Sequence, residues 1–211
     1  MQPDPKHVVA TGYDEIASRY LARYSSSAVR DAWLDALIGY LPEQCSHVLD
    51  LGCGAGIPVA KRLAALGHDV LGIDGAARQI ELARANAPQA SFLWADMTTV
   101  ELAESSFDGV AAFYSITHVP AAEHGGLLCR VANWLKPRGV FVASFGAGPA
   151  GDWQGEWLGT EMFFSHNSEA TTLSLVRQAG LDVCRAELVD QDNKDARFYW
   201  VVARKPAKTP A

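Results

Sequence analysis

The sequence predicts an α/β domain built on a mostly parallel sheet with helices on both faces. Three observations predict it. Short apolar runs alternate with helix-like segments from residue 47 onward; a glycine-rich turn, HVLDLGCGAG at 47–56, closes the first run; and Asp74 closes the second, 24 residues after Asp50. Such alternation builds βαβ units, whose crossover helices bury both faces of a parallel sheet.

Taken in order, residues 13–24 (YDEIASRYLARY) set Tyr13, Ile16, Ala17, Tyr20, Leu21 and Tyr24 on one helical stripe, with Asp14 as its cap. A second helical pattern over 28–41 stops before Pro42. Strands are expected at 47–51, 69–73, 91–94, 107–113, 138–145, 181–188 and 197–204. Helices fill 57–66, 76–86, 121–135 and 168–179, with Gly67 and Gly180 as stop signals. The last residues, KPAKTPA at 205–211, read as a flexible tail.

The totals suit one domain over 1–211, since 49% hydrophobic and 20% charged residues are ordinary globular values. Eighteen basic against twenty-four acidic residues give a net charge of −6, with no basic run longer than Lys61-Arg62. A nucleic-acid partner is disfavoured, because phosphate binding needs a concentrated basic face. No apolar run approaches a membrane span, and the opening MQPDPKHVVATG lacks the pattern of a signal peptide, so the cytoplasm is the expected location and no membrane partner is expected. The cysteines at 45, 53, 129 and 184 form no CxxC pair and no metal-ligand spacing, so reduced thiols and no metal are expected.

In an open α/β sheet the ligand crevice lies at the carboxyl ends of the strands, where this loop sits. Gly52, Gly54 and Gly56 allow tight turning and close backbone approach. Asp74 suits the hydroxyls of a ribose. The dinucleotide fingerprint needs a third glycine at 57, where the chain has Ile57, and Asp50 would repel a pyrophosphate. An ammonium or sulfonium suits Asp50 instead. S-adenosyl-L-methionine offers both, together with a ribose for Asp74 and a carboxylate for the loop's N–H groups. Cys53 reads as a small packing residue of that loop.

HVLDLGCGAG, GIDG at 72–75, the Ala95-Asp96 pair and FDGVAAFYSITHV at 107–119 together resemble the class I S-adenosylmethionine-dependent methyltransferases of small-molecule type. The resemblance implies a Rossmann-like seven-stranded sheet with its last strand antiparallel. It also implies cofactor contacts from Asp50, Gly52, Cys53, Gly54, Asp74, Gly75, Asp96, Met97, Phe113 and Ser115, with Asp96 and Met97 beside the adenine. SITHVP and GEWLGTEMFFSH are similar to bacterial members acting on natural-product or indole-like acceptors. That likeness makes 13–41 a helical lid, with Tyr13 and Tyr20 over cofactor and acceptor; ordinary helix packing is the other reading of those tyrosines.

The [N/D/S]PP[Y/F] stretch of base and glutamine methyltransferases is absent from FYSITHV, which favours a small methyl acceptor. His118, after the fourth strand, is a candidate base, or else a backbone-bonding histidine. The stretch 146–166 is too long for an ordinary connection and carries five glycines from 146 to 159, so it reads as a substrate loop. Its Trp153, Trp157, Phe163 and His166, with Tyr20, Tyr114 and His118, form the candidate acceptor-binding set, unless the loop folds onto its own small core. His166 is a helix cap with Asn167 and Ser168, or a second base.

Overall fold

A computed structural model describes residues 4–24, 26–192 and 196–207. The elements run α1 (Pro5–Tyr24), α2 (Ala28–Tyr40), β1 (His47–Leu51), α3 (Val59–Ala65), β2 (Asp69–Asp74), α4 (Ala77–Asn86), β3 (Ser91–Trp94), β4 (Phe107–Ala112), α5 (His124–Trp134), β5 (Leu135–Gly146), β6 (Gly151–Trp157), β7 (Thr160–His166), α6 (Glu169–Gln178), β8 (Asp182–Asp190) and β9 (Arg197–Arg204). Among the described residues one sheet has seven strands in the order β3-β2-β1-β4-β5-β9-β8. β1 to β5 pair in parallel, whereas β9 runs against both β5 and β8. The expected seven-stranded, mostly parallel, Rossmann-like sheet with an antiparallel last strand is therefore present, and that strand lies inside the sheet rather than at its edge.

The two-residue period of the strands sends alternate side chains to two cores. Leu49 and Leu51 join Phe141, Val110 and the inner faces of α5 and α6 through Leu127, Val131 and Val176. Val48, Val140 and Val202 face α2 and α3 through Leu34, Leu37 and Leu63. Trp33 of α2 stacks on Trp200 of β9 with centroids 5.1 Å apart and planes 4° from parallel. This packing makes α2 a helix of the sheet's cover. Only α1, of the two helices expected as a lid, arches over the strand ends.

Three local expectations change. α1 begins at Pro5, eight residues before the expected start. Asp4 caps it, its Oδ1 accepting from Lys6 N at 3.0 Å, and proline is favoured in a first turn because its missing N–H is not needed there. Asp14 is not a cap of α1; its Oδ1 accepts the N–H of Arg78 at 2.8 Å and so serves the first turn of α4. The stretch 146–166 is not a structureless loop but an antiparallel hairpin, β6–β7, closed by Leu158 and Gly159 with φ of 52° and 79°. Two left-handed residues suit the twist of a two-residue hairpin turn. Of the expected tail, positions 208–211 lie outside the described residues. Among the described residues, no helix is long and apolar enough to cross a membrane.

Candidate functional site

β1 touches β2 on one side and β4 on the other, so the strand order reverses there, and a cavity of about 510 Å³ opens beside the strand ends. Asp50, Gly52, Cys53 and Gly54 line it after β1, and Asp74 and Gly75 after β2. Asp96 and Met97 line it after β3, Phe113 and Ser115 after β4, and Tyr13 and Tyr20 from α1. Residues scattered over the sequence thus meet around one space.

The glycine loop owes its shape to close packing. Gly52 has φ +72°, and a Cβ there would stand 2.2 Å from that of Ser115. Ser115 in turn spends its hydroxyl on the Leu51 carbonyl at 2.7 Å. The N–H groups of Gly52 and Cys53 bond to the Ile73 carbonyl at 2.7 and 3.0 Å, that of Gly56 to the Cys53 carbonyl, and that of Gly54 to Asp74 Oδ2 at 2.9 Å. The amides of Gly52, Cys53 and Gly54 thus hold the loop on β2 and that of Gly56 closes the loop on itself, so these four are already committed and do not await a ligand carboxylate. Cys53 is buried, and burial pushes its thiol well above the usual range, so it is a packing residue of the cavity wall.

Two carboxylates sit at the floor. Asp50 is 2% exposed; burial pushes its pKa up to about 7, with the nearby Asp74 charge adding, and a backbone hydrogen bond from Ala60 and then the Arg30 charge opposing. Asp74 is pushed up to about 6 by burial, against the pull of its bonds from Gly54 N and Ala76 N. A cation entering the cavity would favour the ionised form of both. Arg30, absent from the sequence-based assignment, also borders this space: its N–H is capped by Ser27 Oγ and Nη1 donates to the Tyr24 carbonyl at 2.9 Å. A lone basic residue in an apolar helix gives no sequence signal of that role.

At the far wall, Asp96 Oδ1 accepts from Thr98 N and Oγ1, both at 2.8 Å, and Oδ2 pairs with Lys6 Nζ at 3.1 Å. Burial works against it, yet these bonds hold the Asp96 carboxyl below its usual range. Lys6 also reaches Glu123 at 2.9 Å, so the start of α1 is tied across the cavity mouth.

A second chamber of about 480 Å³ adjoins the first and shares Tyr13, Tyr20, Tyr24, Arg30, Tyr114 and His118 with it. Trp157 and Phe164 from the hairpin and Phe198 from β9 complete its aromatic wall. The Trp157 ring lies 6.1 Å from Tyr20, 6.3 Å from Tyr24 in a stacked pose, and 5.5 Å from Phe164. Tyr114 reaches the wall from a left-handed backbone, φ 59°, held by its N–H to Ser144 Oγ at 2.6 Å.

His118 stands where the chambers meet. Its Nδ1 lies 2.8 Å from the Phe163 carbonyl, and its Nε2 lies 2.8 Å from the Tyr13 hydroxyl. A carbonyl only accepts, so Nδ1 carries the proton and Nε2 offers a lone pair. Burial lowers the pKa of this histidine to about 4, leaving it neutral near pH 7.

Three expected acceptor contacts do not reach the chamber. Phe163 is 3% exposed and lines neither chamber, meeting His118 through its carbonyl, while alternation turns Phe164 to the chamber. Trp153 is 46% exposed and packs on Phe164 from outside, with centroids 5.7 Å apart. His166 presses on the backbone of Gly146, where a Cβ would lie 2.2 Å from its ring, and neither chamber includes it as a base. Among the described residues no group of three or more His, Cys, Asp or Glu could hold a metal ion.

Comparison with known proteins agrees with this geometry. Residues 48–139 match the family model described as a methyltransferase domain. A ubiquinone biosynthesis O-methyltransferase of Cereibacter sphaeroides is 33% identical over 157 residues, 67% of this chain and 62% of that protein. The chain thus spans less than two thirds of the curated relatives' length. Among solved structures, the 1,6-didemethyltoxoflavin-N1-methyltransferase of Burkholderia thailandensis, with bound substrate and S-adenosylhomocysteine, superposes with a TM-score of 0.77 at 19% identity, covering 98% of this chain and 92% of that one. Magnesium protoporphyrin IX methyltransferase of Synechocystis, with bound S-adenosylmethionine, gives 0.77 at 17%, covering 97% and 98%. Residues 48–139 thus carry the signature of a methyltransferase domain, on a fold shared with S-adenosylmethionine-dependent methyltransferases.

Proposed function

We propose that the larger cavity binds S-adenosylmethionine and that the adjoining chamber holds a small aromatic acceptor, to which the methyl group passes. The observation that carries this reading is the shared wall: a cavity floored by two buried carboxylates opens, past His118, into a chamber walled by tyrosine, tryptophan and phenylalanine. The cavity fits the cofactor chemically. Its volume lies in the range of small-ligand sites, Asp50 and Asp74 welcome positive charge and a ribose diol, and Gly52 and Gly54 let the backbone close in. Arg30 is a cation placed to meet a carboxylate, since the amides of Gly52, Cys53, Gly54 and Gly56 are committed.

When bound, S-adenosylmethionine supplies a methyl group on a sulfonium centre. The protein's own work is then alignment, exclusion of water and handling of the acceptor's proton, of which alignment is worth about 7–11 kcal/mol. Trp157, Phe164 and the α1 tyrosines would flank a planar ring. His118 Nε2 would accept a hydrogen bond from the acceptor in the position now taken by the Tyr13 hydroxyl. An unprotonated nitrogen suits a hydroxyl-bearing acceptor, and the O-methyltransferase relative supports oxygen as the methylated atom. We place the reaction in the cytoplasm, where the exposed Cys45, Cys129 and Cys184 remain thiols.

The test is calorimetric titration with S-adenosylhomocysteine, with NADH as comparison, then a screen of phenols by product mass. Micromolar binding of the first, none of the second, and a 14-dalton gain on a phenol are the expected results. Silence with S-adenosylhomocysteine from folded protein would sink the reading.

A further inference from the structure

Gln79 occupies the first turn of α4 at 1% exposure, and among the described residues neither its Oε1 nor its Nε2 has a hydrogen-bond partner. A buried amide left unpaired costs about 1–3 kcal/mol, so its presence calls for a reason. The side chain borders the larger cavity. Its Oε1 lies 3.8 Å from where a Cβ of Gly54 would stand, and Gly54 donates its N–H to Asp74 Oδ2 at 2.9 Å. The amide and the Asp74 carboxylate therefore flank the same glycine.

An ionised carboxylate can only accept. Hydroxyls that give their protons to Asp74 keep lone pairs on oxygen, and those lone pairs need a donor from elsewhere. The Gln79 amide brings two N–H groups and a carbonyl, all uncommitted, to that place. We propose that Gln79 is a further cofactor-binding residue, its Nε2 donating to a ribose hydroxyl oxygen whose proton Asp74 accepts. This rests on the reading of the cavity as an S-adenosylmethionine site. The unpaired state then belongs to the ligand-free protein and ends on binding.

A merely structural amide and a ligand-binding amide differ in a measurable way. Gln79→Met keeps the volume and removes the unpaired groups, so the ligand-free variant should melt no lower than the parent. Its dissociation constant for S-adenosylhomocysteine should rise about tenfold, roughly 1.4 kcal/mol. The same loss should appear with 5′-methylthioadenosine, which keeps the ribose and lacks the amino-acid end. Gln79→Asn, which retains the amide and withdraws it by one methylene, should also weaken both ligands and guards against a misfolded Met variant. A parent that binds no S-adenosylhomocysteine overturns the cofactor reading and this inference with it. Unchanged affinity in both variants overturns this inference alone, as does a lower melting temperature without loss of affinity. Weakening confined to S-adenosylhomocysteine removes the ribose assignment.

Discussion

The carbonyl oxygen of Phe163 lies 2.8 Å from Nδ1 of His118, and this contact fixes which nitrogen of the ring faces the chambers. The hairpin therefore acts on the site through its main chain as well as through Trp157 and Phe164. With a pKa lowered to about 4, His118 is already neutral where most enzymes work. Between about pH 4 and 6.5 the unfolded chain holds a proton here that the folded one does not, so this group's contribution to stability is present above that window and is lost as pH falls through it. His118→Asn is expected to lower kcat by about 10²-fold, the low end for a proton-handling group, with S-adenosylhomocysteine affinity kept. The pH profile of kcat/KM should show no His118-dependent step near 6.5; such a step in the parent, missing in the variant, would contradict the neutral tautomer.

Asp50 and Asp74 give the opposite pH dependence. Their folded pKa values, about 7 and about 6, exceed the unfolded value of about 3.9. The folded protein thus holds protons that the unfolded chain has released, and ligand-free stability falls as pH rises from about 4 through about 7. A bound cation favours the ionised pair, so S-adenosylmethionine should bind more tightly at pH 8 than at pH 5.5. Calorimetry at the two pH values is the check, and Asp50→Asn should flatten the dependence. Equal affinity at both would argue against cation recognition by Asp50.

Trp157 belongs to the chamber and not to the larger cavity. Trp157→Ala should raise the acceptor's KM by about tenfold, the value of one stacked ring contact, and leave S-adenosylhomocysteine affinity within twofold. Parallel loss of both would place Trp157 in the scaffold that holds α1 instead.

Gly12 lies in mid-helix, where alanine would favour α1 by about 1 kcal/mol. A Cβ there would stand 2.8 Å from the Glu161 carbonyl oxygen and 2.9 Å from Met162 Cε. Gly12→Ala is expected to lose about 1–3 kcal/mol net through overpacking, with faster amide exchange along α1 as the diagnostic. A stabilised variant with unchanged exchange would mean that α1 and β7 are not held this close.

The parts of the site that were legible in the sequence are those fixed by neighbours along the chain. The glycine loop, Asp50, Asp74 and Asp96 sit at strand ends, and strand ends are set by local alternation. The hairpin was not legible, because Gly151, Gly155 and Gly159 look like flexible linker. Gly155 is instead a strand residue covered by the Trp153 ring, which a Cβ would meet at 2.7 Å. That is why Trp153 serves the hairpin and not the acceptor chamber. Arg30 and Gln79 were missed for a different reason: each is a single polar residue in a helical pattern, and only the tertiary fold turns it toward the cavity. The start of α1 was available in Asp4-Pro5, a cap followed by a favoured first residue, but Thr11 and Gly12 interrupt the apolar stripe that would have extended the helix to it.

The ties that seat α1 reach far along the chain. From Asp14 to Arg78, Tyr13 to His118, Lys6 to Glu123 and Glu15 to Thr160, they span 64, 105, 117 and 145 residues. During synthesis this helix leaves the ribosome before the other described elements and yet cannot be fully docked until the hairpin has followed it out. The cover of the site is therefore completed late in biogenesis, over a sheet whose β1 and β2 are already available to pair.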